Sequence, residues 1–338
     1  MTDHVIIVGV NRGREQVPIN EIIQACGRAG RKENEKGIVD IFIDDNINNF
    51  SKRFNESKSK NIESIMNDVE SLAFHLISEI DSGRVKTTEQ ATKWIKRSFL
   101  YFQGLLDENI MTKTIQYLQE INAINKNSIL LSSTNIGSIA AKLYFHPMDI
   151  KKWDENILTI YDLNILDDDV AISWCLGNIF FNKSSNYDIR GLFNIPDEFQ
   201  SRLINHGLSC DGNLHTCMIW WSLLGNKSCS SMQSDMEKLK QDINRVISAL
   251  KMIVYNYSNT KPELIDFVNK LWIRLKKRTS EEFVELFRMN GLSKNSVYEL
   301  YNDFGITNED GLREQLNMIE QIGSDGLKFN LKKMGIII

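Results

Sequence analysis

Two arginines with glycine neighbours form the clearest candidate for a phosphate-binding site in this 338-residue sequence. The string Gln24-Ala25-Cys26-Gly27-Arg28-Ala29-Gly30-Arg31 places Arg28 and Arg31 three positions apart, so on a helix they would share a face. A guanidinium group binds phosphate oxygens through two parallel hydrogen bonds, and glycine lets a phosphate or a backbone approach closely. An arginine delivered to a γ-phosphoryl group from a second domain accelerates hydrolysis by orders of magnitude. The string therefore predicts a pair of phosphate-directed arginines; the alternative is a surface helix with a basic stripe.

The string resembles the sixth motif, Q-x-x-G-R-x-G-R, of superfamily 2 nucleic-acid helicases. In that family the motif lies on the second RecA-like lobe, so the resemblance implies that Gln24, Arg28 and Arg31 act on ATP and that Gly27 and Gly30 adjoin it. No G-x-x-x-x-G-K-[ST] phosphate loop occurs in the sequence. We therefore expect ATP and Mg²⁺ to be held by a second chain that carries the first lobe, and no ATPase activity from this chain alone.

The composition indicates a globular protein whose nucleic-acid contacts, where they exist, are local. Hydrophobic residues make up 42% and charged residues 25%, and the net charge is −4. No apolar run approaches the roughly 18 residues that span a bilayer, so we expect a soluble, cytoplasmic protein without membrane contact. The five cysteines are irregularly spaced, and Cys210, His215 and Cys217 match no common zinc pattern, so we expect no metal site.

The elements that would position the arginines form a strand–helix–strand unit. Short β-branched runs cover 5–10 and 37–43, and a helix begins between Pro18 and Glu21. A two-stranded parallel unit normally needs further strands and covered faces. Residues 1–50 are therefore predicted to be part of a second RecA-like lobe, and the chain beyond residue 45 to be mainly α.

Residues 60–146 have the element order of a winged helix. Helices are predicted over 69–80, after a capping box at 87–90, and over 110–121, followed by a hairpin that turns at 125–127. The following segment, 132–147, resembles the one after the winged helix in the Ski-like and Hel-type helicases, a branch that includes the polymerase theta helicase domain. The third helix is then either a DNA reader or a hinge packed on the motor, and we favour the hinge.

Residues 147–256 are predicted to form a helical domain. Its clearest helix runs from Ser234 to Tyr255, with a buried stripe of seven apolar residues at helical spacing. On another face lie Lys238, Gln241 and Arg245. The resemblance implies that this helix grips the translocating single strand as a ratchet; the alternative is a solvated polar face.

Residues 257–338 resemble a helix-hairpin-helix domain. The hairpin is 290–294, in which Gly291 matches the first glycine of the usual G-x-G turn and Ser293 replaces the second. Backbone N–H groups at such a turn bind a DNA phosphate without reading sequence, and Lys294 adds a charge. A purely structural hairpin is the alternative.

The resemblance as a whole is to the C-terminal half of a superfamily 2 DNA helicase of the Ski-like or Hel-type branch. The implied fold is mainly α: a partial RecA-like α/β segment, a winged helix, a ratchet-like bundle and a helix-hairpin-helix. The implied function is to donate arginine fingers and grip single-stranded or forked DNA beside a second chain. The alternatives are a non-enzymatic DNA-binding or regulatory module and a member of the RNA branch.

Overall fold

The computed structural model describes residues 4–12, 15–30, 36–43, 46–57, 64, 66–179, 196–210, 213–225 and 233–336. The chain divides into two compact units, residues 1–64 and 65–338.

The first unit contains the predicted strand–helix–strand arrangement, which is confirmed. Strands β1 and β4 pair in parallel, with His4 opposite Ile38 and Val8 opposite Phe42, and helix α1 lies between them in the sequence. Two antiparallel strands of two residues each precede α1, and a second helix follows β4. The elements are β1 His4–Val8, β2 Asn11–Arg12, β3 Glu15–Gln16, α1 Ile19–Cys26, β4 Ile38–Phe42 and α2 Ile47–Ser57.

One face of this two-stranded sheet is packed and the other is open. Side chains alternate along a strand, so Ile7 and Ile41 pack against the buried residues of α1 and α2. The opposite face is exposed and mostly apolar. It carries Ile6, Val8, Ile38 and Phe42, together with the polar pair His4 and Asp40, whose Nε2 and Oδ2 atoms lie 2.7 Å apart. Parallel strands are usually covered on both faces, so this face lacks the neighbours that the architecture normally supplies.

The second unit is mainly helical. Its elements are α3 Val69–Asp81, α4 Thr88–Ile95, α5 Phe99–Phe102, α6 Ile110–Glu120, β5 Ile124–Asn127, β6 Leu130–Ser133, α7 Asn135–Leu143, α8 Pro147–Asp162, α9 Asp169–Gly177, α10 Asp197–Asn205, α11 Leu214–Leu224, α12 Gln233–Tyr255, α13 Glu263–Lys277, a 3-10 turn Glu281–Phe283, α14 Val284–Arg288, α15 Lys294–Phe304, α16 Glu309–Glu314, α17 Leu316–Ile322 and α18 Asp325–Lys333. Among the described helices, none is long and apolar enough to cross a bilayer.

The first part of this unit has the predicted order of helices followed by a hairpin, with one extra helical turn, α5. Thr87 caps α4 by accepting a hydrogen bond from the Gln90 N–H, as the capping pattern predicts. The predicted turn at 125–127 is wrong, because Asn127 pairs with Leu130 and the chain reverses at 128–129. This register places both Ile124 and Leu131 in the buried cluster, which explains why the turn moves.

The central part of the unit holds the largest buried cluster. Its four tryptophans were expected in the core, and all are at most 7% exposed: Trp153, Trp174, Trp220 and Trp221. Helix α12 matches the predicted span to within one residue, and its seven stripe residues are all buried: Met236, Leu239, Ile243, Val246, Ile247, Leu250 and Ile253. Helix α13 also packs in this cluster, because its apolar face lies against α12. The sequence instead predicts it as part of the C-terminal segment, 257–338.

The C-terminal part has its own cluster, built from α14 to α18. A turn at 289–293 connects α14 to α15, where the hairpin was predicted. Helix α15 ends at Gly305, whose φ of +65° lies in the left-handed region that favours glycine.

Candidate functional site

The arginine motif follows a helix and does not continue it. Gln24 lies on α1, but the helix ends at Cys26, so the expectation that Arg28 and Arg31 share a helical face is wrong for Arg28. The Arg28 N–H bonds to the carbonyl of Ala25, three residues back, so the last turn tightens and stops. Gly27 and Gly30 favour the end of the helix at this point, since glycine is a weak helix former. Arg31 lies outside the described residues.

The side chains of Gln24 and Arg28 are exposed on the first unit. Neither forms an ion pair or side-chain hydrogen bond with another described residue. A guanidinium group in this state is available to a ligand from outside the unit. Such availability is what an arginine finger requires, because it must reach a phosphate held elsewhere.

The two glycines of the motif differ in their surroundings. Gly30 has a φ of +64°, and its backbone nitrogen would lie 2.6 Å from a Cβ built on Gly37, the residue before β4. Close backbone approach therefore occurs here, between two parts of this chain. Gly27 has a φ of −66°, and a Cβ there would make only ordinary contacts.

On α12, the three candidate residues are not equivalent. Lys238 and Gln241 are exposed. Arg245 is half-buried: its guanidinium carbon lies 4.4 Å from the centre of the Phe145 ring, and Nη2 lies 3.1 Å from the Asp242 carboxylate. Lys238 and Gln241 are thus more exposed than Arg245, whose guanidinium group contacts Phe145 and Asp242.

Each of the three candidate residues in the C-terminal hairpin has a structural role. Gly291 has a φ of +117°, and a Cβ there would lie 2.6 Å from Met334 Cγ. Ser293 caps α15 by accepting a hydrogen bond from the Ser296 N–H. The Lys294 ammonium donates to the carbonyls at the end of α13, at 3.2 Å each. The ammonium group is therefore already occupied by a helix terminus. Of the N–H groups that begin α15, those of Lys294 and Asn295 have no acceptor among the described residues and could bind an anion, whereas that of Ser296 bonds to Ser293.

Sequence reasoning missed a cavity of about 440 Å³ in the second unit. It lies among α3, the α7–α8 connection, α8, the end of α9, α11 and α12. Aromatic side chains supply much of its wall, and Arg245 and Asp242 stand at its edge. Its residues come from segments as far apart in the chain as Ser71 and Val246, so no local motif in the sequence could have revealed it. The aromatic and polar residues around it are Ser71, Phe74, His75, Tyr144, Phe145, His146, Asp149, Trp153, Trp220, Asp242 and Arg245.

His146 lies in the wall of this cavity in its neutral form. Burial lowers the pKa of its imidazole to about 4, although the hydrogen bond to the Glu70 carbonyl acts in the opposite direction. The Nδ1 atom accepts a hydrogen bond from the Met148 N–H, at 3.1 Å, and so caps α8. Nε2 therefore carries the proton and donates to the Glu70 carbonyl oxygen, at 3.2 Å.

The cysteine and histidine cluster noted in the sequence is partly assembled. The Sγ atoms of Cys210 and Cys217 are 3.5 Å apart, and burial raises the pKa of the Cys217 thiol. Within the described ranges, no group of three or more His, Cys, Asp or Glu side chains is arranged to hold a metal ion.

No protein-family model matches this sequence. The helicase resemblance therefore remains a prediction that rests on the arginine motif and on the order of the elements.

Proposed function

We propose that this chain is the C-terminal part of an ATP-dependent DNA helicase. Arg28 and Arg31 act on an ATP–Mg²⁺ complex held by the first RecA-like lobe of another chain, and the second unit grips single-stranded or forked DNA. The observation that carries the proposal is the parallel pairing of β1 and β4 around α1, with Arg28 exposed just after the helix.

The open sheet face supports the need for a second chain. In the part of the unit that the structure describes, this sheet has two parallel strands, and its exposed face carries four apolar side chains beside the His4–Asp40 pair: Ile6, Val8, Ile38 and Phe42. Exposing such a face to water is unfavourable by about 25 cal/mol for each Å² of apolar surface. A partner that supplies the rest of a RecA-like lobe would cover this face and bring a nucleotide to Arg28.

The second unit offers the elements for DNA binding. Residues 66–146 have the element order of a winged helix, and a short bridge between Thr87 and Leu130 adds a third strand-like segment to the hairpin. We assign Lys238 and Gln241 on α12 to contacts with the strand, because both are exposed. We assign the phosphate contact of the C-terminal hairpin to the N–H groups that begin α15, with Gly291 and Ser293 shaping the turn.

The decisive experiment is the DNA-stimulated ATPase rate of this chain mixed with its partner. The candidate partner is the product of a neighbouring gene that carries the phosphate loop. Arg28→Ala and Arg31→Ala are each expected to lower kcat by about a thousand-fold, because an arginine finger acts on the transition state. Lys52→Ala is the matched control, since Lys52 is an exposed cation of the same unit whose nearest carboxylate, on Glu56, is 4.0 Å away.

Two results would contradict the proposal. An ATPase rate unchanged in both arginine variants would remove the arginine-finger role. A chain that binds forked DNA but never alters the ATPase of any partner would be the non-enzymatic DNA-binding module instead. Comparing affinity for DNA and RNA of one sequence at one salt concentration tests the RNA branch.

A further inference from the structure

We propose that the cavity among α3, the α7–α8 connection, α8 and α12 binds a nucleobase. Where the base belongs to a bound strand, this inference rests on the proposed DNA-gripping function; a free nucleotide would supply the same chemistry.

Aromatic side chains form much of the cavity wall. The Phe145 and Trp153 rings meet edge to face at 4.9 Å, and the Phe74 and Tyr144 rings do the same at 4.7 Å. The volume of about 440 Å³ lies within the range of small-ligand sites, roughly 300–1,000 Å³. Aromatic walls bind planar heterocycles by stacking and by edge contacts.

Two side chains that line this cavity carry a buried N–H group for which the described part of the chain supplies no acceptor. The two groups are Nε1 of Trp220, whose side chain is 1% exposed, and Nε of Arg245; neither has a hydrogen-bond partner among the described residues. Leaving a buried donor unpaired costs about 1–3 kcal/mol. Both atoms are inaccessible to water here, so a ligand acceptor pairs with them once the Trp220 or Arg245 side chain moves toward the cavity. The Asp242 carboxylate, also at the edge, can accept from a ligand N–H. Nucleobases carry acceptors and N–H donors on one planar edge, whereas aliphatic and purely aromatic ligands do not.

The charges at the cavity favour a base over a phosphate. The Arg245 charge is balanced by Asp242, 3.1 Å away, and the buried carboxyl of Asp149 also lines the wall. His146 contributes no positive charge near neutral pH. No excess of positive charge therefore faces the ligand, so a neutral ring is preferred.

Tyr144 stands at the mouth in a strained backbone conformation. It ends α7 with φ 59° and ψ 48°, the left-handed region in which glycine is the usual residue. The residue is 63% exposed, and its carbonyl accepts a hydrogen bond from Arg245 Nη1 at 3.3 Å. A large, exposed aromatic ring kept at a position that favours glycine is consistent with a ring that stacks on a ligand.

Tyr144→Gly tests the proposal without threatening the fold, because glycine removes the ring and also relieves the strain. The probes are a fluorescein-labelled twelve-residue oligothymidylate, the same oligomer with every base replaced by an abasic site, and free thymidine monophosphate. The wild-type chain is expected to bind the oligothymidylate at least ten-fold more tightly than the abasic strand. Tyr144→Gly is expected to lose about ten-fold on the oligothymidylate and nothing on the abasic strand. Tyr255→Ala, at an exposed tyrosine that ends α12, is the matched control and should bind like wild type.

The results with the three probes distinguish a failure of the base site from a failure of the proposed DNA binding. Equal affinity of Tyr144→Gly and wild type for both the oligothymidylate and thymidine monophosphate overturns the base site and leaves the DNA grip standing. Binding of thymidine monophosphate that Tyr144→Gly loses, without binding of either strand, supports the base site and overturns the DNA grip. Failure of the wild-type chain to bind any of the three probes overturns both. Trp220→Phe, which keeps a ring but removes the N–H, should weaken base binding in the same direction.

Discussion

His146 illustrates how a single buried residue can link the folded state to pH. The imidazole donates to one backbone group and accepts from another, so only its neutral form satisfies both contacts. Protonation of Nδ1 would place a second donor against the Met148 N–H at the start of α8. The folded chain therefore resists protonation, and burial lowers the imidazole pKa to about 4.

The protein is expected to lose stability as pH falls through the range from about 6.5 to 4. In the unfolded chain the imidazole has its ordinary pKa of about 6.5, so between the two values the unfolded state binds a proton that the folded state does not. His146→Asn keeps an acceptor to cap α8 but cannot titrate. Between pH 7 and 4.5, urea unfolding should show wild type losing about 2 kcal/mol more than this variant. Parallel losses in the two proteins would contradict the assignment.

Helix α7 is fixed to the hairpin by the absence of a side chain at Gly137. A Cβ there would lie 2.1 Å from the Ala123 carbonyl oxygen and 2.7 Å from Ile77 Cδ1. Thr134 caps the helix by accepting from the Gly137 N–H. Tyr144 follows the C-terminal end of the same helix. The position of α7 therefore also determines where Tyr144 lies at the mouth of the cavity.

Gly137→Ala is expected to destabilise the protein by about 3 kcal/mol, because either the hairpin or α7 must move. The matched control is Gly326→Ala in α18, where the nearest atom to a new Cβ would be Ser324 Oγ at 3.9 Å. That change should stabilise by about 0.5–1 kcal/mol, since alanine is the better helix former. Thermal and urea unfolding measure both. Similar midpoints for the two variants would show that the contact at Gly137 is not tight.

At the scale of the whole molecule, the two units differ in how much apolar surface they bury. The first unit has four buried hydrophobic residues in its cluster: Val10, Ile19, Ile22 and Phe50. The second unit contains three larger clusters, one of which spans α7 to α13. Small cores stabilise weakly, and the open apolar sheet face adds nothing to the stability of the first unit.

Hydrogen exchange of the full chain should therefore show weak protection in β1 and β4 and strong protection in α12. An amide exchanges when its hydrogen bond opens locally, and the free energy of that opening grows with the number of buried contacts around it. The amides of β1 and β4 should therefore exchange orders of magnitude faster than those of α12. Addition of the partner chain should slow exchange in β1 and β4 and leave α12 unchanged. Equal protection of β1 and α12 in the free chain would mean that the first unit is stable without a partner.

The sequence by itself determined the features that depend on near neighbours in the chain. The apolar period of α12, the cap at Thr87 and the two β-branched runs were readable because helix periodicity, capping and strand propensity act over a few residues. The shared helical face predicted for the arginines was wrong for Arg28 although the end of α1 is local. Gly27 and Gly30 weaken the helix, and α1 ends at Cys26, before Arg28. The hairpin turn was misplaced because its register depends on which side chains reach the core.

Only the tertiary structure decided which candidate side chains are available to a ligand. Arg245 bonds to the carbonyl of Tyr144, 101 positions away, and Lys294 bonds to the carbonyls of Lys277 and Arg278, which end α13. Each candidate therefore has a partner that its own sequence neighbourhood does not reveal. The physical reason is that packing between helices brings together residues far apart in the chain, and a long cationic side chain bonds to whichever carbonyl that packing places within its reach.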